Sequence, residues 1–385
     1  MTIDSLETPA LVVDYDIMMQ NIRKMGDRAA NAGVKLRPHT KTHKCPAIAH
    51  LQLRNGARGI TVAKLGEAQV MAESGIDDIL IAYPIVGEGK ISRLLNLRNW
   101  VPQVACTVDS IEGARALSEA VGNGVILSDK PLDVFIEVDV GFHRVGLPAG
   151  ENVVHFALNI RDLPGIRIQG ILTHAGHAHS AETPDQLLSI ARSEAESMAL
   201  TARMLSESGI RVDEVSIGST PTSYVLDSFA GITEVRPGTY VFNDADLVGL
   251  GVVGLDDCAL SVLTSVVSRP SPDRVVFDAG SKALSSDKQS KCKIPGYGIV
   301  RNYPDIWIER LSEEHAMAQV QPNVTAKWNT NVSARAADRI PEIGEKVQLV
   351  PNHACPAVNL YDRLVIVKDG TPTSEWSIQG RGKLA

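Results

Sequence analysis

The chain has no run approaching ~18 consecutive apolar residues, so it offers no transmembrane helix. Its opening stretch, MTIDSLETPALVVDYD, lacks a basic segment followed by an apolar one, and no secretory signal is expected. Cysteine is sparse: Cys45, Cys106, Cys258, Cys292 and Cys355 form an odd, scattered set. That pattern argues against a disulfide framework and for reduced thiols in a cytoplasmic protein. The sequons at Asn323 and Asn331 are then chance matches. Excess positive charge is also missing. A net charge of -7 argues against nucleic acid as the main partner. No internal repeat or low-complexity tract is present, and no G-x-G-x-x-G follows the first strand-like run, so an open dinucleotide-binding sheet lacks its signature.

What is present is an ordinary globular composition, 44% hydrophobic and 22% charged, in 385 residues. That length exceeds one typical core and suggests a large domain with a smaller one. Over the first 240 residues, short β-branched runs alternate with helix-like segments. The strand candidates are VKLRPH (34–39), GITVA (59–63), ILIAYP (79–84), QVACTVD (103–109), VFIEVD (134–139), IQGILTH (168–174), EVSIGS (214–219) and TEVRPG (233–238). KLGEAQVMAESG and SIEGARALSEAVG read as connecting helices. The longest is QLLSIARSEAESMALTARMLSESG, whose Leu187, Ala191, Ala195, Met198, Ala202 and Leu205 recur at three- and four-residue steps, as one buried face requires. Eight such units predict a closed (β/α)8 TIM barrel. After about residue 248 the pattern changes to ALSVLTSVVSRP, RVVFDAGSKAL, IWIERL, EKVQLVP and RLVIVKDG, joined by Pro and Gly. This predicts a mostly β second domain, 249–385, beside a barrel domain, 16–248. The early run TPALVVDYD precedes the barrel count and is assigned, with residues 1–15, to the second domain.

A barrel carries its chemistry at the C-terminal ends of its strands. There the sequence places His39 and Lys41 after strand 1 and Asp139, His143 and Arg144 after strand 5. His174, His177 and His179 follow strand 6, Gly218, Ser219 and Thr220 follow strand 7, and Arg236, Gly238 and Thr239 follow strand 8. SIGSTPTS and RPGTY suit a pair of capped turns, but together, at the loops where barrels bind phosphate, they predict a phosphate site. A random lysine is a surface lysine. Lys41, however, stands among Arg37, His39, His43 and Lys44, and neighbouring cations lower an ammonium pKa. Such an amine can form a Schiff base with a phosphate-bearing aldehyde cofactor. Lys44 is the second choice. Arg144 serves equally as a structural ion-pair partner, with Asp139 for instance, or as a donor to a phenolate or carboxylate.

In LVPNHACPAVNLYD, His353 and Cys355 share a face if the segment is extended, and imidazole with thiolate favours zinc. On spacing alone, a core cysteine beside a satisfied histidine is the better account, because two ligands are not a full set. Asp278, in FDAGSKALSSD, could aim a carboxylate into the cleft or simply make a turn.

RPHTKTHK, HRVG, LTHAG, SIGSTPT, EVRPGTYVF, DAGSKALSSD and PNHACP occur in this order. With them the chain resembles the D-serine dehydratase and D-threonine aldolase group of pyridoxal-phosphate enzymes, which have the alanine-racemase type of fold, over roughly residues 6 to 382. The resemblance implies a soluble homodimer that acts on a small D-amino acid, with pyridoxal 5'-phosphate and a divalent metal as cofactors. Zinc is the first choice of metal, manganese or magnesium the alternatives. By motif, Lys41 looks like the cofactor lysine and Arg144 like the arginine near the phenolate oxygen. Gly218, Ser219, Thr220, Gly238 and Thr239 look like the phosphate cradle, and His353 and Cys355 like the metal ligands.

The implied reaction is dehydration of a β-hydroxy-D-amino acid, of the D-serine or D-threo-3-hydroxyaspartate type, to a 2-oxo acid and ammonia. Lys41 would take the Cα proton. The alternative is retro-aldol cleavage to glycine and an aldehyde, with His174, His177 or His179 as base. His-x-Cys, SIGSTPT and EVRPGTYVF look dehydratase-like, whereas VNLYD and the later WSIQGRG look aldolase-like. A racemase, with Tyr297 as its second acid–base group, and a non-catalytic cofactor-binding protein are weaker rivals.

Overall fold

The eight β-branched runs form eight parallel strands in one sheet of a computed structural model, which describes residues 2–123, 131–288, 296–320 and 340–385. In chain order the strands are Lys35–Leu36, Ile60–Val62, Asp78–Pro84, Gln103–Val108, Leu132–Asp139, Ile166–Thr173, Glu214–Ile217 and Glu234–Val235. Neighbours pair in sequence order, and the eighth pairs the first in the register Glu234↔Lys35. The first and second strands meet through the bridges Leu36↔Ala57 and His39↔Thr61, which close the ring. The fold of this part of the chain is a closed TIM-type barrel. Its strands are buried on both faces, with Ile60, Val62, Ile81, Val134, Ile136, Ile171 and Ile217 all nearly inaccessible.

The helices follow from local sequence. Pro184–Glu207 starts where Thr183 accepts a hydrogen bond from the Gln186 amide at 3.1 Å, with Pro184 in its first turn. Leu187, Ala191, Ala195, Met198 and Leu205 are buried along it as the spacing predicted, but Glu194 is buried on the same face.

The second sheet is antiparallel almost throughout. Its order is Arg274–Phe277, Ala316–Val320, Ile306–Leu311, Gly298–Val300, Lys346–Pro351, Leu260–Ser271, Ala10–Asp14, Arg363–Lys368, Thr371–Ser377. Arg274–Phe277 also pairs Leu260–Ser271 and closes the sheet on itself. Ala10–Asp14 sits inside this sheet, antiparallel to Leu260–Ser271 and parallel to Arg363–Lys368. A second apolar core, with Leu11, Val13, Val262, Phe277, Leu349 and Ile366, fills it.

Cys45, Cys106, Cys258 and Cys355 are free thiols. Cys292 and the sequons at Asn323 and Asn331 lie outside the described residues. Among the described residues, no helix is long and apolar enough to cross a membrane.

Candidate active site

The chain leaves the first barrel strand through a tight turn, Thr40–Thr42, that lifts Lys41 from the rim. His39 caps it, its Nδ1 accepting from the Lys41 amide at 3.3 Å. The cations and imidazoles of VKLRPHTKTHK then part company. Arg37 is buried and bonds Glu234 at 2.7 Å. His43 is wholly buried: its Nδ1 accepts from the Cys45 amide at 3.1 Å and its Nε2 faces Gln52 Oε1 at 3.2 Å. Lys44 is buried with its ammonium 3.8 Å from Glu67. Lys35 pairs with Glu214, so Lys41 alone of the three lysines in this stretch has no ion-pair partner among the described residues. Burial, reinforced by Arg144 and Arg236, lowers its pKa against the opposing pull of Cys355 and Glu67. Desolvation therefore does more than neighbouring cations to free this amine.

Glu67 frames the turn. Its Oε1 accepts from the Thr40 hydroxyl at 2.9 Å and its Oε2 from the Ala63 amide at 3.0 Å. After strand 7, Ser219 caps the short helix Thr220–Val225 by accepting from the Thr222 amide at 3.3 Å. The Thr220 hydroxyl accepts from the Gly238 and Tyr240 amides at 3.2 and 3.3 Å, which joins the loops after strands 7 and 8. These hydroxyls are engaged within the protein, as are the Thr222 and Tyr240 amides, and Pro221 has no N–H, so the amides of Thr220 and Thr239 are the donors these two elements leave for an anion. Glycine is needed here. A Cβ on Gly238 would lie 2.9 Å from Thr42 Oγ1 and 3.1 Å from His39 O, and one on Gly218 would lie 3.3 Å from Arg236.

The three histidines after strand 6 diverge. His174 Nδ1 lies 2.6 Å from Gly218 O. Burial first, then Lys41 and Arg144, hold its pKa well below the usual value. His177 stands by Gly141, and burial lowers it too. His179 pairs with Asp246. Only His174 combines deep desolvation with proximity to Lys41. Glu194 braces this corner, its Oε1 accepting from the Ala175 and Gly218 amides at 3.2 and 3.3 Å.

Arg144 is half-exposed, and its ion-pair partner is Glu137 at 3.8 Å, not Asp139. Asp139 instead accepts from the amides of Gly141, Phe142 and His143, at 2.9, 3.0 and 3.0 Å, and pairs with the His143 ring at 2.8 Å.

His353 and Cys355 do not share a strand. His353 is extended, with φ -135°, and caps the helix Ala354–Val358, of which Cys355 is the second residue. They meet because the chain turns between them. Asp287 Oδ2 lies 3.0 Å from His353 Nδ1, which leaves Nε2 for Cys355. Burial opposes both charged forms, yet each outweighs it for the other: His353 is pushed up to about 11 and Cys355 down to about 6. Cys355 Sγ lies 3.2 Å from Thr42 Oγ1, beside Lys41. Asp244 binds the Ala354 amide at 3.1 Å and anchors the turn to the barrel.

These residues fit an aldehyde phosphate: a desolvated amine faces amide-lined loops that a Cβ would crowd. They also fit a soft divalent cation, since a thiolate lies beside an imidazole whose second nitrogen is braced by a carboxylate. Among the described residues, no group of three or more His, Cys, Asp or Glu side chains stands ready to hold a metal. Asp278 is structural, accepting from Thr8 Oγ1 at 2.6 Å and the Ser265 amide at 2.9 Å. The carboxylate that reaches the site is Asp287, at the far end of the same motif. Sequence reasoning also missed Glu67, Glu194, Asp244 and Asp246. Glu194's only signal was a charge at an i+3 position on an apolar helix face.

Residues 13–246 match the alanine racemase N-terminal domain model, and residues 259–367 match the serine dehydratase domain model. The D-threonine aldolase of Arthrobacter sp is 34% identical, covering 98% of this chain and 93% of the relative. The D-threo-3-hydroxyaspartate dehydratase of Delftia sp. (strain HT23) is 35% identical, covering 92% of each. The crystal structure of D-threonine aldolase from Filomicrobium marinum superposes with a TM-score of 0.86 at 31% identity, covering 100% of this chain and 98% of that one.

Proposed function

This chain belongs to the family that joins an alanine racemase N-terminal domain to a serine dehydratase domain, a family of lyases, and from that premise we propose that it dehydrates β-hydroxy-D-amino acids to 2-oxo acids and ammonia. The observation that carries this reading is the His353–Cys355 pair beside Lys41, a soft donor set next to a desolvated amine.

When bound, pyridoxal phosphate supplies an electron sink for bonds at the substrate Cα, and a divalent cation supplies Lewis-acid polarisation of a β-hydroxyl. The chain's own residues do the rest. Lys41 would hold the coenzyme, and its Nζ would take the substrate Cα proton. Burial lowers the pKa of that nitrogen, which favours its proton-accepting form. Glu67 and Thr40 fix the turn from which Lys41 projects. Ser219, Thr220 and Thr239 hold the phosphate through main-chain donors, and Gly218 and Gly238, whose own amides are engaged by Glu194 and Thr220, leave room for it. Arg144 reaches an anionic oxygen. His353 and Cys355 hold the cation, and Asp287 orients the imidazole. A homodimer, and a division near residue 248 into barrel and β domains, belong to the same proposal.

A second reading, retro-aldol cleavage to glycine and an aldehyde, is favoured by one observation. His174 is neutral with Nε2 bare, and such a nitrogen can accept the β-hydroxyl proton. One assay separates the two. Protein supplied with pyridoxal phosphate and zinc or manganese is incubated with D-serine, D-threonine and D-threo-3-hydroxyaspartate. The proposal expects a 2-oxo acid and ammonia in equal amounts; glycine with an aldehyde establishes the aldolase instead. No product from any of the three refutes both.

A further inference from the structure

The stretch WSIQGRG, 376–382, takes no part in the chemistry above, yet it crosses the back of the Lys41 turn on its way to Ala385. Ile378 is buried in the second core, and its amide bonds Asp362 O at 2.8 Å. The Gly380 amide then donates to Lys44 O at 2.9 Å, and Gly382 donates to the Asn359 side-chain oxygen at 3.3 Å. The Gly66 amide donates to Ala385 O at 2.8 Å, and Arg93 reaches the same oxygen at 3.2 Å. Arg381 pairs with Asp362 at 3.0 Å.

Each anchor leads to the site. Lys44 closes the Lys41 turn, its amide donating to Thr40 O at 2.7 Å, and it does so at φ 50°, a conformation that side chains with a Cβ adopt rarely. Gly66 precedes Glu67, the carboxylate that bonds Thr40 on one side of Lys41 and pairs with Lys44 on the other. Asn359 ends the helix that carries Cys355, and its amide donates to Cys355 O at 3.3 Å. Both crossings depend on glycine. A Cβ on Gly380 would lie 3.1 Å from Lys44 Cβ and from Lys44 O, and one on Gly66 would lie 2.8 Å from Ala385 O.

We propose that residues 378–385 are a positioning strap, in which Gly380 and Gly66 press the two ends of the Lys44–Glu67 pair together and tie the Lys41 turn to the helix of Cys355. Its consequence for catalysis rests on the reading of Lys41 as the coenzyme lysine.

The test compares the full chain, a chain shortened after Gln379, and G380V, each with and without pyridoxal phosphate. Amide hydrogen exchange is followed in residues 39–45, 354–360 and 166–173. The strap predicts exchange at least tenfold faster in the first two segments and unchanged in the third. It also predicts a shift of about one pH unit in the midpoint of the coenzyme's visible absorbance. Unchanged exchange at 39–45 and 354–360 overturns the strap, and so does a uniform acceleration across all three segments. If the shortened chain does not fold, R93A/R381A, which leaves the backbone intact, carries the same expectation at reduced size. Borohydride trapping with peptide mapping separates the two ideas. An adduct on a lysine other than Lys41 ends the coenzyme reading, while the exchange comparison still decides the strap.

Discussion

His174 Nδ1 lies 2.6 Å from the carbonyl oxygen of Gly218. A carbonyl can only accept, so Nδ1 carries the proton. Burial with two nearby cations keeps the ring neutral and Nε2 bare. Selectively 15N-labelled protein is expected to show this tautomer at His174 from pH 8 to pH 5; an imidazolium signal there at pH 6 contradicts it. H174Q is expected to lower turnover by about 10²–10⁴-fold, with coenzyme binding retained.

His43 makes stability depend on pH. Burial lowers its pKa to about 4, whereas in the unfolded chain it stays near the ordinary imidazole value of about 6.5. Above the unfolded value both states are neutral and the contribution is complete. As the pH falls below it, the unfolded state takes up a proton that the folded state refuses, and up to roughly 3 kcal/mol is lost by pH 4. His39 and His174, also lowered well below their usual value, act in the same direction. Urea unfolding between pH 7.5 and 4.5 should show stability falling with acid, and H43Q should flatten the slope by up to one proton. An equal slope in the variant would remove His43 from the account.

Lys44 and Glu67 are both buried and face each other at 3.8 Å. Glu67→Gln leaves the ammonium without its counter-charge and should cost about 3–5 kcal/mol. K44M/E67Q together should recover much of that loss. Thermal unfolding of the two single variants and the double variant measures the coupling, and additive effects would show that the pair is not linked.

Asp287 is 3.0 Å from His353. D287N should weaken zinc or manganese binding about 10–100-fold, as the loss of an orienting carboxylate does. Competition against a chromogenic chelator reads this directly. Equal affinities in the two proteins would mean that Asp287 does not brace the ligand.

The barrel was legible because each strand is a β-branched run that ends on a polar or glycine residue. The seam was less so: Lys35–Leu36 and Glu234–Val235 are only two residues long, and bridges at Leu36 and His39 complete the ring. Lys41 stood out through its neighbours, although burial, which no local window displays, is what frees its amine. Asp278 read either as a turn residue or as a cleft carboxylate, and Asp287 carried no signal, since only tertiary approach brings Asp287 to His353. Cys355 was placed on a strand because alternate spacing in a strand and one step into a helix can both bring two side chains together. Glu67, Glu194 and Asp244 carry no motif; their roles exist only once distant loops converge.

The strand Ala10–Asp14 leaves the ribosome early, yet its partners are Leu260–Ser271 and Arg363–Lys368. It must wait for some 250 residues before its first neighbour emerges, with both hydrogen-bonding edges bare and Leu11 and Val13 uncovered. Translation therefore finishes the β domain last and all at once, and a fragment starting at residue 249 would lack the central rib of its own sheet. Nascent chains stalled before that second half is synthesised are the ones expected to engage chaperones and aggregate.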